Sequence, residues 1–250
     1  MQGINLERDE IFQITISVIA ISFAFALVFA TPQGMVGHPV EFIIFIVPLL
    51  VTVGSGFILH EMSHKIVAMY YGAQARFRMW VQGLVIMLIG AVFGVLFAAP
   101  GAVYIYSNNI NKRQNGLISL AGPMLNIILA GVFIGLQFLA PIRQSYSFLI
   151  PMGTDFAGYG MSNGVLQVWW FGAAMNIVLA LFNMIPAFPL DGSKVFAWSK
   201  LVWGAFVLLL FYIGVLVIGW ELVIGWAIML VFFSVLSLLL FGNMGKRLNQ

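Results

Sequence analysis

The residues best suited to chemistry in this sequence are two histidines and a glutamate within about one helical turn. Residues 60–64 are His60-Glu61-Met62-Ser63-His64. On an α-helix, side chains four residues apart share a face, so both imidazoles could bind one Zn²⁺ ion. Glu61 lies about 100° around the helix, where it could accept a proton from a bound water molecule. The pattern predicts metal-assisted hydrolysis; the alternative is a solvated polar cluster at a helix end.

The composition indicates that the elements positioning these residues lie in a membrane. Of the 250 residues, 62% are hydrophobic and 8% are charged, whereas an average soluble domain is about 25% charged. So apolar a chain cannot keep its surface hydrated, and we expect the lipid bilayer to be its solvent. The net charge of +3 is spread over separate loops, so we expect no nucleic-acid partner.

Six segments are apolar over the length of about 20 residues that a spanning helix needs. They are 11–30, 41–71, 116–140, 166–186, 202–220 and 222–241. These segments predict an all-α polytopic membrane protein with six transmembrane helices. No intervening loop is long enough for a second globular domain, so we expect a single domain over residues 1–250.

A seventh apolar segment, at about 81–106, is predicted to enter the membrane and return to the same side. If it does, all lysines and arginines except Arg143 lie on one side, as the positive-inside rule requires. Both termini and the end of the helix that carries His60 and His64 are then cytoplasmic. Glycines interrupt the segment, and residues 103–106 after the Pro100-Gly101 turn favour a strand. We therefore predict a re-entrant, β-hairpin-like segment that lines a cavity.

A catalytic zinc ion needs a third protein ligand, and few residues can supply it. Cysteine is absent, so the ligand must be a histidine or a carboxylate. Distance along the chain or the predicted side of the membrane argues against His38, Glu41, Asp155 and Glu221. Asp191 lies on the same side as His60, after Pro186 and Pro189, which break the fourth predicted helix. Alone, this segment would suggest a solvated aspartate; beside the histidine pair, we predict that Asp191 binds the metal.

Two further motifs follow residues 60–64 along the chain. They are Gly122-Pro123-Met124-Leu125-Asn126 and the run from Asn183 through Pro186 to Leu190-Asp191-Gly192. The three motifs, in this order, resemble those of the site-2 protease family of intramembrane zinc metalloproteases. Residues 97–104 are also similar to the re-entrant hairpin of that family. The resemblance covers about 55–195, which we take as the catalytic core.

The resemblance implies a zinc site and a reaction. One Zn²⁺ per chain would be bound by His60, His64 and Asp191, with Glu61 as the general base. The expected activity is that of a zinc endopeptidase that cuts within or near transmembrane segments of substrate membrane proteins. Many bacterial relatives carry a PDZ domain and some archaeal ones carry CBS domains. We expect an archaeal-type protein with neither.

The resemblance also implies residues that bind the substrate. Asn183 would contact it near the scissile bond. Asn126 would line the cavity, although a hydrogen bond between helices explains this residue equally well. We further expect the substrate to unwind and to pair as an extended strand with the hairpin, by β-augmentation. The residues expected to take part are Pro100, Gly101, Ala102 and Val103.

Three other functions share parts of this pattern. A membrane metal-ion transporter could use the same histidines and aspartate. Other membrane zinc proteases take a glutamate as third ligand, but Glu221, the only glutamate downstream of the motif, is predicted on the opposite side. An inactive scaffold could bind transmembrane helices without cutting them.

Overall fold

The protein is described by a computed structural model that covers residues 6–96, 100–107, 109–139, 147–149, 161–162 and 165–241. The helices are α1 (Arg8–Gly37), α2 (Pro39–Leu49), α3 (Ser55–Tyr70), α4 (Val81–Val92), α5 (Lys112–Phe138), α6 (Val168–Asn183), α7 (Asp191–Trp198), α8 (Lys200–Ile218) and α9 (Trp220–Phe241). A π-helical turn, Leu50–Gly54, joins α2 to α3. The strands are β1 (Gln74–Met79), β2 (Gly101–Tyr106), β3 (Ser147–Leu149), β4 (Met161–Ser162) and β5 (Val165–Gln167).

Among the described residues, four helical segments are long and apolar enough to cross a membrane. They are α1, the continuous helix Pro39–Tyr70, α5 and α8. They coincide with four of the predicted spans, so the prediction of a mostly helical protein is confirmed, and the length and composition of these four helices agree with an integral membrane protein. The other two predicted spans, 166–186 and 222–241, overlap shorter apolar helices at Val168–Asn183 and Trp220–Phe232. The count of six spans therefore stays a prediction.

The prediction of a hairpin-like segment at about 81–106 needs correction. Residues 81–92 form helix α4, and the partner of β2 is the preceding strand β1, in the antiparallel register Gln74↔Tyr106 to Met79↔Gly101. In β1, buried and exposed side chains alternate, as in a half-buried strand, whereas 81–92 is an almost continuous apolar run that satisfies its own backbone as a helix. The fold class is therefore mostly helical with a small antiparallel sheet rather than all-α. Residues 97–99 and Asp155 lie outside the described residues.

Helix α5 occupies the centre of the fold because it contacts α3, α6 and α7. Its buried face includes Gly122, Asn126, Ala130 and Phe133, spaced three or four residues apart. This spacing puts them on one stripe of the helix. The stripe brings the second sequence motif against the helix that carries the first.

Candidate metal centre and active site

His60, His64 and Asp191 meet although Asp191 lies far along the chain. Nε2 of His64 lies 3.0 Å from Oδ2 of Asp191, and Nε2 of His60 lies 3.3 Å from the same oxygen. The two imidazole centroids are 4.7 Å apart, as expected for residues one turn apart on α3. All three side chains are buried, and one ligand atom from each lies within 4.8 Å of the others. The structure therefore brings together the three residues predicted to hold the metal.

The segment before Asp191 explains how this aspartate reaches the two histidines. Helix α6 ends at Asn183, a non-helical segment with Pro186 and Pro189 follows, and Asp191 is the first residue of α7. Burial raises the pKa of the Asp191 carboxyl, but the charge of His64 and hydrogen bonds from both imidazoles outweigh it. The pKa of Asp191 consequently lies well below its usual value.

Both imidazoles present the same nitrogen to the shared site. Nδ1 of His64 donates to the backbone carbonyl of Ile118 at 2.7 Å. Nδ1 of His60 lies 2.5 Å from Oδ1 of Asn126. Carbonyl oxygens only accept hydrogen bonds, so each Nδ1 carries a proton and each Nε2 is the nitrogen available to a metal.

The space beside these nitrogens depends on Gly122. A Cβ atom at this position would lie 2.5 Å from Nε2 of His60 and 2.6 Å from Nε2 of His64. Glycine is thus the residue that leaves room at the nitrogens facing Asp191. Two imidazole nitrogens and one carboxylate are a donor set that catalytic zinc sites use, with a further position open for water or substrate. The residues present fit a zinc ion.

Glu61 lies beside this centre and is held by the sheet. The residue is 9% exposed, and Oε2 accepts a hydrogen bond from the backbone N–H of Val103 at 2.8 Å. Val103 is in β2, so the contact joins the catalytic helix to the strand. The sequence does not indicate this bond because any residue except proline supplies a backbone N–H.

A cavity of about 370 Å³ opens onto Glu61 and the metal-site residues. Five of the six predicted substrate-binding residues line it: Pro100, Gly101, Ala102, Val103 and Asn183. Phe25 and Phe29 of α1 and Trp226 of α9 also contribute to its wall. The amide of Asn183 donates to the Leu179 carbonyl at 2.9 Å and so lies at the end of α6 beside the cavity.

Asn126, the sixth of these residues, does not belong to the cavity lining. It is fully buried, and its amide contacts His60 on one side and Oδ1 of Asn176 on the other, at 2.8 Å. This arrangement matches the alternative interpretation, a hydrogen bond between helices. Asn176 itself was missed in the sequence. The signal available was an amide in the middle of the apolar segment 168–183, which ends at Asn183.

Helix α1 occupies the far edge of the two-stranded sheet. Oε1 of Glu10 accepts from the N–H of Phe77 at 3.0 Å, and Oε1 of Gln13 accepts from the N–H of Met79 at 2.9 Å. The carboxylate of Glu10 also binds Nζ of the buried Lys65, at 2.6 and 2.7 Å. Thus α1 holds β1, and one buried ion pair joins α1 to the helix that carries the histidines.

Comparisons with known proteins show that the chain is similar to a family of peptidases. The model of a family described as peptidase family M50 matches residues 44–207. A protein of Methanocaldococcus jannaschii named "Putative zinc metalloprotease MJ0611" is 37% identical over 206 residues, 81% of this chain and 91% of its own length.

Two further relatives carry the same description. YwhC of Bacillus subtilis is 31% identical over 157 residues, 59% of this chain and 66% of its own. Rip3 of Mycobacterium tuberculosis is 25% identical over 197 residues, 74% of this chain and 40% of its own. No solved structure gives a significant match.

Proposed function

Because the chain belongs to peptidase family M50, the site-2 protease family of zinc metalloproteases, we propose that it hydrolyses peptide bonds within or near transmembrane segments of other membrane proteins. The observation that carries this proposal is the convergence of His60, His64, Asp191 and Glu61 on one cavity among apolar helices. The family match gives no support to the metal-ion transporter alternative.

Each residue of the centre has a distinct part in the proposed reaction. His60, His64 and Asp191 would hold one zinc ion per chain, which would supply a Lewis acid that polarises a carbonyl group and makes water more acidic. Glu61 accepts the proton of the attacking water and passes it to the leaving nitrogen. Asn183, at the cavity wall, holds the substrate backbone near the scissile bond.

The substrate is proposed to bind as an extended strand along the outer edge of β2. Along an antiparallel pair of strands, the backbone N–H and C=O groups of one residue bond to the partner strand, and those of the next residue point away from it. The N–H of Val103 points to Glu61, so Gly101, Val103 and Ile105 turn their backbone groups away from β1. The opposite edge of the sheet is occupied by Glu10 and Gln13 of α1. Because the Val103 N–H is bonded to Glu61, the outward backbone groups of Gly101 and Ile105 would pair with the substrate, and β-augmentation on β2 would lay the substrate strand beside Glu61.

Asn126 has a different part in this proposal. Because it is buried against His60 and lies outside the cavity lining, we propose that it holds the metal ligand His60 in place rather than binding the substrate.

The membrane arrangement remains part of the proposal. We propose six spans, cytoplasmic termini and an active site near the cytoplasmic face, with the segment at about 81–106, which includes α4, entering the membrane and returning. The pairing of Met79 with Gly101 supports the last point, because the segment between them leaves and rejoins the same end of the sheet.

The test is zinc content together with cleavage of a model transmembrane peptide by the full chain in liposomes. Glu61→Gln should keep about one zinc ion and lose turnover by about 10²–10⁴-fold, the usual contribution of a general base. Asp191→Ala should lose zinc as well. If Glu61→Gln cleaved at the wild-type rate, the assignment of the base would be wrong. Binding of the peptide without any cleavage by the wild type would instead indicate the inactive scaffold.

A further inference from the structure

A chain of side-chain amides runs from His60 through α5 into α6. Oδ1 of Asn126 lies 2.5 Å from Nδ1 of His60, and Nδ2 of Asn126 donates to Oδ1 of Asn176 at 2.8 Å. Nδ2 of Asn176 donates in turn to the backbone carbonyl of Gly172 at 2.8 Å. Both asparagines are fully buried, so no bulk water competes for these bonds.

The carbonyl of Gly172 gives this chain a direction. A backbone carbonyl can only accept, so Asn176 must turn its NH₂ group toward Gly172 and its oxygen toward Asn126. Asn126 must then present its own NH₂ to Asn176 and its oxygen to His60. Nδ1 of His60 is consequently the donor, and Nε2 is the nitrogen that faces Asp191.

The packing around Asn176 is fitted to this amide. A Cβ atom at Gly56 would lie 2.7 Å from Oδ1 of Asn176, so glycine is what lets α3 approach so closely. The carbonyl of Thr52, in the π-helical turn, lies 3.5 Å from Nδ2 of Asn176. The carbonyl of Gly56 lies at the same distance from Nδ2 of Asn126. Each NH₂ group therefore faces two carbonyl oxygens, which opposes rotation of either amide.

We propose that Asn176 is a positioning residue of the metal centre, which orients the Asn126 amide and, through it, selects the nitrogen that His60 presents to zinc. The proposal rests on the proposed function, in which His60 is a zinc ligand. Without an acceptor at position 176, the Asn126 amide loses the partner that holds its orientation. Its NH₂ group could then face His60, which favours a proton on Nε2 and opposes metal binding.

Two substitutions at this position separate the proposed role from simple packing. Leucine is apolar and similar in size, but it offers no acceptor to Asn126. Aspartate keeps an acceptor, so the direction of the Asn126 amide survives even though a carboxyl replaces the amide. If Asn176 only fills space, leucine should preserve zinc affinity better than a buried carboxyl. If Asn176 orients Asn126, aspartate should preserve zinc affinity better than leucine.

The experiment measures zinc affinity of the purified full-length protein by competition with a chelator. Removing an outer-shell partner of a ligand typically costs about 10–100-fold in metal affinity, and we expect roughly tenfold weaker binding for Asn176→Leu. Asn176→Asp should bind zinc more tightly than Asn176→Leu. Gln137→Leu is the matched control, because it removes a buried amide of α5 that contacts Gln167, away from the metal site. Its zinc affinity should equal that of the wild type.

A double substitution tests whether Asn176 acts through Asn126. If it does, Asn176→Leu should add no further loss of zinc affinity to a chain that already carries Asn126→Leu. Additive losses would overturn the proposal, as would zinc binding by Asn176→Leu equal to or tighter than that of Asn176→Asp. Thermal unfolding of each metal-free variant identifies any variant that fails to fold. If Asn176→Asp fails to fold, the double-substitution comparison still tests the proposal.

His60→Ala distinguishes failure of this inference from failure of the proposed function. If His60→Ala kept full zinc affinity, the ligand set itself would be wrong. If His60→Ala lost zinc while Asn176→Leu retained wild-type affinity, the amide chain alone would be refuted.

Discussion

Glu61 and Val103 are 42 residues apart in the sequence, yet the Val103 N–H donates to Oε2 of Glu61 at 2.8 Å. The proposed general base is thus held by the backbone of the strand proposed to bind the substrate. A carboxylate that accepts a backbone N–H has a defined direction, which is how an active site keeps a base near its target before the substrate arrives. This relationship leads to the first prediction.

Replacing Val103 with proline should lower turnover by about tenfold while zinc content stays near one ion per chain. Proline removes the N–H that binds Glu61, but this N–H points away from β1, so the pairing of β1 with β2 is preserved. Losing a charge-assisted hydrogen bond of about 1.5–3 kcal/mol is consistent with a change of this size. Val103→Ala is the control, because it trims the side chain and keeps the N–H. Equal rates for the two variants would show that the bond does not position the base.

Adding one methyl group at Gly122 should weaken zinc binding. The new Cβ would lie 2.5 Å from Nε2 of His60 and 2.6 Å from Nε2 of His64, so one imidazole must move. Overpacking of this kind typically costs about 1–3 kcal/mol, or roughly 5–150-fold in zinc affinity. The matched control is Gly131→Ala on the same helix, where an added Cβ meets nothing within 4 Å. Equal zinc affinity of the two alanine variants would contradict the assigned geometry.

The buried pair of Glu10 and Lys65 should be a main support of α1 against α3. Both side chains are almost fully buried, so Lys65→Met leaves a carboxylate without its cation and should cost about 3–5 kcal/mol of unfolding free energy. Adding Glu10→Gln should recover part of that loss, since the uncompensated charge is removed. Denaturant titration in detergent measures both effects.

An exposed pair near the same end of α1 is the control for that prediction. Arg76 of β1 contacts Glu7, the residue before α1, but the two side chains are 46% and 53% exposed. Arg76→Gln should therefore change the unfolding free energy by at most about 1 kcal/mol. If Lys65→Met lowered the unfolding free energy no more than Arg76→Gln does, burial of the ion pair would have no energetic consequence.

Backbone N-methylation of a model substrate tests strand pairing on β2. A methyl group on an amide that faces β2 removes a hydrogen bond and adds bulk, so KM should rise by about tenfold for a bond worth roughly 1 kcal/mol plus the steric term. The same group one residue further along points away from β2 and should have little effect on KM. Equal effects along a series of adjacent positions would argue against an extended bound conformation.

Helix-breaking residues in the substrate should increase cleavage. A transmembrane helix satisfies all its own backbone groups, so unwinding it at the scissile bond is costly. Glycine destabilises a helix interior by about 1 kcal/mol, which should raise the rate about fivefold if unwinding limits turnover. Comparing glycine and alanine near the cut site, with binding measured separately, checks this. A rate that did not respond would rule out unwinding as the limiting step.

Much of the candidate site was predictable because it depends on local geometry. The spacing of His60 and His64 places them on one helix face wherever that helix lies, and 3.6 residues per turn is a property of the backbone alone. The prolines before Asp191 end α6, and the apolar length of four segments indicates membrane helices. The strand predicted at 103–106 from its β-branched and aromatic residues lies within β2.

Only the tertiary structure decided the contacts between distant segments. The partner of β2 is β1 rather than a neighbour within 81–106, the amide of Asn126 contacts His60 rather than the cavity, and Asn176 completes a chain that begins on another helix. Glu61 owes its orientation to a backbone group, which every residue except proline carries. Periodicity specifies which face of an element is buried, but contacts between segments far apart in the sequence depend on how whole elements pack, and that information is not local.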